Sequence, residues 1–295
     1  MIEHRHRAVS VQRVCAITGN TLTDLTRQKV FYFLLIFALI LIASSVMLAR
    51  FTFQQEFQIL KDVSLGAMSI FTSLLAILAT ARLVPQDIED RTIYTILAKP
   101  VPRFEYVLGK LFGILLLLAL SLVVMSALFL TVLYSREQTV LHETMRQMAQ
   151  APPDQIDGAL RTVRASALNT NLFPGIVIIY LKACLLGALT LLVSIFATTS
   201  IFTVVVMVFV YFIGQFEAIA REYWLEQHGG GWLTYGFLAM VALMFPDLQA
   251  FNLVDDVVAG AAIGTGLFLK TALLALCYTT IYALLAIFAF GGKEL

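Results

Sequence analysis

From Val30 to Ala49 the chain runs through twenty residues without one charged side chain. A helix rises about 1.5 Å per residue, so about 20 apolar residues cross the roughly 30 Å hydrocarbon core of a bilayer. The pattern recurs at Val63–Ala81, which ends at Arg82, and at Leu111–Ser135. It recurs again in the uncharged run from Ala183 to Phe216. As one helix that run would be about 50 Å long, too much for one crossing. Thr198-Thr199-Ser200 sits near its middle, so a tight turn is expected there, dividing spans at about Pro174–Ala197 and Ile201–Ala218. A last span is expected at about Gly266–Phe290.

Composition excludes the soluble alternative. Of the 295 residues 60% are hydrophobic and only 13% are Asp, Glu, Lys or Arg, against about 25% charged in an ordinary soluble domain. The net charge of +1 gives no global field toward nucleic acid, and no nucleic-acid partner is expected. Cys15, Cys184 and Cys277 are odd in number and widely scattered, which speaks against disulfides or zinc. The seven prolines fall outside or at the edges of the spans, as helices in lipid require.

Basic residues set the orientation. The first 29 residues carry Arg5, Arg7, Arg13, Arg27 and Lys29, and the loop at 82–110 carries Arg82, Arg91, Lys99, Arg103 and Lys110. The stretch Ile219–Thr265 carries Arg221 alone. The positive-inside rule therefore puts the N-terminus and the 82–110 loop in the cytoplasm. Six spans then return the C-terminus to that side. The Arg-rich head is too long for a secretory signal and no small-residue cleavage site follows, so the first span is expected to serve as its own anchor.

The stretch Gly231–Phe245 is short for a span and ends at Pro246-Asp247, so it is expected to be re-entrant or interfacial, with a seventh crossing as the alternative. Residues 1–29 contain Val11, Val14, Ile17, Leu22 and Leu25 at roughly helical spacing, predicting an amphipathic helix on the inner leaflet. The rest, 30–295, reads as one transmembrane domain. In the outer loop at about 136–172, Pro152-Pro153-Asp154 is a helix-start signal, and Ile156, Leu160, Val163 and Ala167 give one apolar face.

In the cytoplasmic loop, Asp87, Glu89 and Asp90 precede Arg91, and Ile88, Thr92, Ile96 and Leu97 form a stripe. Acids at the start and Lys99 at the end suit a helix dipole, and Lys99-Pro100-Val101-Pro102 stops the helix. A helix of about ten residues is marginal alone in water, so it needs the membrane surface or a soluble partner.

Here the chain resembles a known family. Glu89-Asp90-Arg91-Thr92, Ile96-Leu97, Lys99-Pro100, Arg103 and Leu108-Gly109-Lys110 are similar to the E-x-R-T…L…K-P…R…G-K signature of type-two ABC exporter permeases. Leu243-Met244-Phe245-Pro246 with Phe251-Asn252 resembles a further element of that family. The resemblance covers nearly the whole chain. It implies an all-α polytopic membrane protein with six transmembrane helices, a cytoplasmic coupling helix and a re-entrant or interfacial element before the last span. It implies residence in the inner membrane, a second copy or a homologous permease as partner, and a separate ABC ATPase subunit carrying ATP and Mg. Glu89, Asp90, Arg91, Thr92, Ile96 and Leu97 would form the docking surface for that ATPase, with Lys99, Pro100 and Arg103 beside them and Lys110 at the membrane boundary.

The chain has no G-x-x-x-x-G-K-[ST] phosphate loop, so no bound cofactor and no ATPase activity of its own are expected. Lys182 lies inside the fourth span, where snorkelling outward or pairing with an outer-loop acid is expected. Tyr211, Gln215 and Ser44-Ser45 could face a substrate path or bond between helices. An ion-driven carrier, a non-transporting scaffold and an intramembrane enzyme are the competing classes. The first is disfavoured by the scarcity of acids inside the spans.

Overall fold

The computed structural model describes residues 10–50, 56–89, 102–149, 152–167, 171–228, 246–252, 257–258 and 264–292. Among these it is helical without strands. The helices are α1 (Val11–Thr26), α2 (Lys29–Arg50), α3 (Glu56–Thr80), α4 (Leu83–Glu89) and α5 (Arg103–Gln147). They continue as α6 (Pro153–Ala167), α7 (Leu172–Phe196), α8 (Ser200–His228) and α9 (Thr265–Gly292), with a 3-10 turn at Gln249–Phe251. Five helical stretches, containing α2, α3, α5, α7 and α9, are long and apolar enough to cross a membrane, and Ser200–Phe216 is a shorter apolar helix. An all-α, membrane-type fold follows from length and composition.

The turn expected at Thr198-Thr199-Ser200 is present: α7 ends at Phe196 and α8 begins at Ser200. α7 is apolar on every side because neighbours surround it: it packs against α3, α5, α8 and α9. Between helices in lipid there is little hydrophobic drive, so close packing carries the association. Gly187 of α7 gives a local example: a Cβ there would lie 3.1 Å from Ile114 and 3.7 Å from Leu118 of α5. Hydroxyls in the core bond within their own helices, as Thr72 does to the Met68 carbonyl at 2.6 Å and Thr190 to that of Leu186 at 2.6 Å. Ser45 donates to the Ile42 carbonyl and accepts a 3.4 Å bond from Ser64, linking α2 to α3. The opposite face of α2, with Phe33, Ile36, Ile40 and Met47, is exposed, as a lipid-facing stripe would be.

Two features differ from the sequence expectation. The helix of the third span does not stop near Ser135 but continues to Gln147. At 45 residues it is about 68 Å long and projects well past a bilayer core. Arg136 stabilises that continuation at the start of α3, where its Nη2 lies 2.7 Å from Glu56 Oε2. Second, the buried side of α1 keeps Leu25 and the half-buried Val14, Ile17 and Leu22 of the expected stripe but not Val11, and adds two threonines. Val11 is exposed, while Thr18, Thr21 and Leu25 are buried, and the helix packs along α5. After the second span α4 begins at Leu83 with Leu83, Val84 and Pro85 buried, and most of the helix expected between Asp87 and Lys99 lies outside the described residues. α6 forms where the Pro152-Pro153-Asp154 signal puts it, and its Ile156, Leu160, Val163 and Ala167 are the less exposed positions.

Candidate functional site

The start of α5 gathers charged side chains from α1, α4 and α5 itself against the end of α9. Glu105 is fully buried against the N-terminus of α1. Its carboxylate accepts a 3.0 Å bond from the Ser10 backbone N–H and a 3.2 Å bond from Arg13 Nη2, and Arg13 Nε lies 3.0 Å from its second oxygen. A carboxylate belongs there, since a helix N-terminus carries partial positive charge and free N–H groups.

One turn on, Lys110 reaches back to α4. Its Nζ is 2.6 Å from the Asp87 carboxylate, and the Tyr106 hydroxyl donates to the same group. Lys110 also stands 5.6 Å from the centre of the Tyr106 ring. That ring stacks on Phe290 of α9, with centroids 5.2 Å apart. Arg103 completes the cluster. Its guanidinium donates to the carbonyls of Gly291 at 2.8 Å and Phe290 at 3.4 Å, the negative end of α9.

The sequence places α1 and α5 far apart, and their close approach depends on missing side chains. A Cβ at Gly109 would lie 2.6 Å from Ile17, and one at Gly113 would lie 2.7 Å from Thr21. Thr18 fills the space between by donating to the Gly109 carbonyl at 3.2 Å. The Gly109-x-x-x-Gly113 spacing is the small-residue signal that sequence reading could have used. Glu105, Tyr106 and the partners of Arg13 carried no such signal.

Of the residues assigned to docking, Glu89 is exposed at the end of α4. Asp90, Arg91, Thr92, Ile96, Leu97, Lys99 and Pro100 lie outside the described residues. Arg103 and Lys110 flank that segment, and both are engaged within the bundle as above. The segment's two ends are therefore tied to each other through Asp87 and Lys110, and to α9 and α1 through Arg103 and Glu105.

Lys182 stands apart, toward the other end of the molecule. It is 3% exposed, so it does not snorkel. Its Nζ makes a long 3.5 Å contact to Ser69 Oγ and lies 5.8 Å from the centre of the Tyr211 ring. Among the described residues it forms no ion pair. Gln215 Nε2 donates to the Tyr211 hydroxyl at 3.2 Å. Nearby, the backbone N–H of Leu248 bonds the Gly214 carbonyl at 2.9 Å, and Val257 covers Gly175 near the start of α7. At the same end Lys61 Nζ donates to the Ser166 carbonyl at 2.6 Å, fastening α6 onto α3. Among the described residues no group of His, Cys, Asp and Glu is arranged to hold a metal.

No protein-family model matches the chain, and no curated protein matches it significantly.

Proposed function

We propose that the chain is the membrane-spanning permease subunit of an ABC-type exporter, driven by a separate ATPase that docks on the loop between α4 and α5. The supporting observation is the cluster at the two ends of that loop. A docking loop transmits force only if its ends are fixed to the spans, and here Asp87–Lys110 ties its two ends together while Arg103–Gly291 and Glu105–Arg13 fix them to α9 and α1. The motif residues Glu89, Asp90, Arg91, Thr92, Ile96 and Leu97 would contact the ATPase, with Lys99 and Pro100 ending the coupling helix. ATP and Mg would sit on that partner, and closure of its two copies would rock the helices of two permease chains as rigid bodies.

Six spans, with both termini in the cytoplasm of the inner membrane, fit the connections. The C-terminal end of α9 meets the start of α5 and, through it, the start of α1. The chain leaves α8 and is met again at Leu248 beside Gly214, with Val257 beside Gly175. The element expected at 231–245 lies outside the described residues. Affinity purification from native membranes tests the proposal: an ATP-binding protein should co-purify in equal amount, and its reproducible absence would contradict the reading.

A further inference from the structure

Lys182 is a cation in a place where cations are expensive. Taking an ammonium out of water costs several kcal/mol unless a countercharge or full hydrogen bonding replaces the lost hydration. Here its surroundings are a hydroxyl at 3.5 Å and an aromatic face at 5.8 Å, and it joins no ion pair among the described residues. Such a group inside a span marks a ligand or ion path by default.

The surroundings give the ligand a shape. Lys182 lines a cavity of about 390 Å³ between α3, α7 and α8, with Ser69, Tyr211, Gln215 and Asn252 in its wall. Asp62 also lines it, but from an exposed position about two turns before Ser69. The carboxylate thus stands at the mouth and the ammonium within. Toward the other end of α3 a second cavity of about 290 Å³ shares Ile70, Tyr211 and Phe212 with the first. Leu74, Ile77 and Val208 line it, and Ser73 is its other member, with the hydroxyl turned to the Ser69 carbonyl. Both volumes are of the order of a small-ligand pocket. Ile70 and Phe212 are 51% and 54% exposed, so the cleft opens sideways onto the apolar outer surface.

We infer that this pair of cavities binds an amphiphile with an anionic head and a single alkyl chain, the head on Lys182 and the chain along Ile70, Leu74 and Ile77. The anion supplies a countercharge that no described residue provides, and the adjoining apolar cleft takes a chain that a free phosphate or carboxylate lacks. The apolar cavity, at about 290 Å³, has room for one chain rather than two. The site requires no ATPase and stands whether or not the chain is a permease.

The test is binding of palmitate to the purified full-length chain in a neutral detergent, with hexadecanol as the uncharged analogue. Palmitate should bind at least about tenfold more tightly than hexadecanol, the scale of one charge-assisted bond. Lys182→Met should abolish that preference, and Lys182→Arg should keep it. Gly66→Leu gives a second reading that does not touch the lysine. Gly66 lines the polar cavity and a Cβ there meets nothing within 4 Å, so the side chain enters open space and blocks both ligands without disturbing the fold. Dioleoyl phosphatidylglycerol, with a similar charge on two chains, should compete weakly. Equal affinity for palmitate and hexadecanol, or undiminished palmitate binding in both Lys182→Met and Gly66→Leu, would overturn the site. Full competition by phosphatidylglycerol would overturn the single-chain assignment in favour of a bilayer lipid.

Discussion

Lys110 Nζ lies 2.6 Å from the Asp87 carboxylate, joining the last turn of α4 to the second turn of α5 across the segment that links them. Both groups are largely buried, at 6% and 18% exposed side chain, and Tyr106 donates to the same carboxylate. Neutralising one member of a buried pair strands the other charge, whereas removing both removes the debt along with the bond.

Lys110→Met alone should therefore destabilise the protein by about 3–5 kcal/mol. Asp87→Asn with Lys110→Met should cost less than the two single changes added together. Thermal unfolding in detergent, followed by the helical signal, measures the coupling. Strict additivity would mean that the two residues do not act as a pair.

Gly109→Leu should detach α1 from α5. A Cβ alone would lie 2.6 Å from Ile17 Cγ2 and 2.7 Å from its Cβ, so a larger side chain forces the helices apart. The expected cost is about 1–3 kcal/mol, the usual range for overpacking. Trypsin cleavage at Arg13 and Arg27 should accelerate, and Ile17→Ala in the same chain should restore part of the protection.

Arg103→Ala should loosen the end of α9 while leaving the rest of the bundle intact. The carbonyls of Phe290 and Gly291 lose their donor, and Tyr106 loses part of the support for its stack on Phe290. Hydrogen exchange should quicken in the last turns of α9, and the amides of α7 should exchange as before. Equal acceleration in α7 would contradict a local capping role.

Orientation can be read from one native thiol and one introduced one. Cys15 on α1 and Asp154 on α6 are both exposed. In Asp154→Cys, an impermeant thiol reagent applied to intact cells should label position 154 and spare Cys15. Opening the membrane should then expose Cys15. The reverse order would invert the proposed topology.

Much of the bundle was legible because its signals are local. Charge-free length found the apolar helices, Thr198-Thr199-Ser200 marked the break between α7 and α8, and Pro152-Pro153-Asp154 marked the start of α6. The continuation of α5 to Gln147 was not legible, because polarity suggested a loop where Arg136 and Glu56 instead hold a helix outside the apolar zone. The cluster around Glu105 was illegible for another reason. Its members come from α1, α4, α5 and α9, and nothing in local spacing pairs Arg13 with Glu105 or Arg103 with Gly291. Lys182 was found as a residue, but its direction was misjudged. A long flexible side chain can reach the helix end, and only the cavity beside Ser69 and Tyr211 shows that it does not.

The central claim is that the segment between α4 and α5 is where a separate ATPase docks. Its most direct test is charge reversal at Glu89 and Arg91, followed by affinity purification from native membranes. The wild-type chain should bring down an ATP-hydrolysing subunit, and Glu89→Lys with Arg91→Glu should lose it while remaining inserted and equally stable. An ATPase retained undiminished by the double variant, or none with the wild type, would contradict the claim.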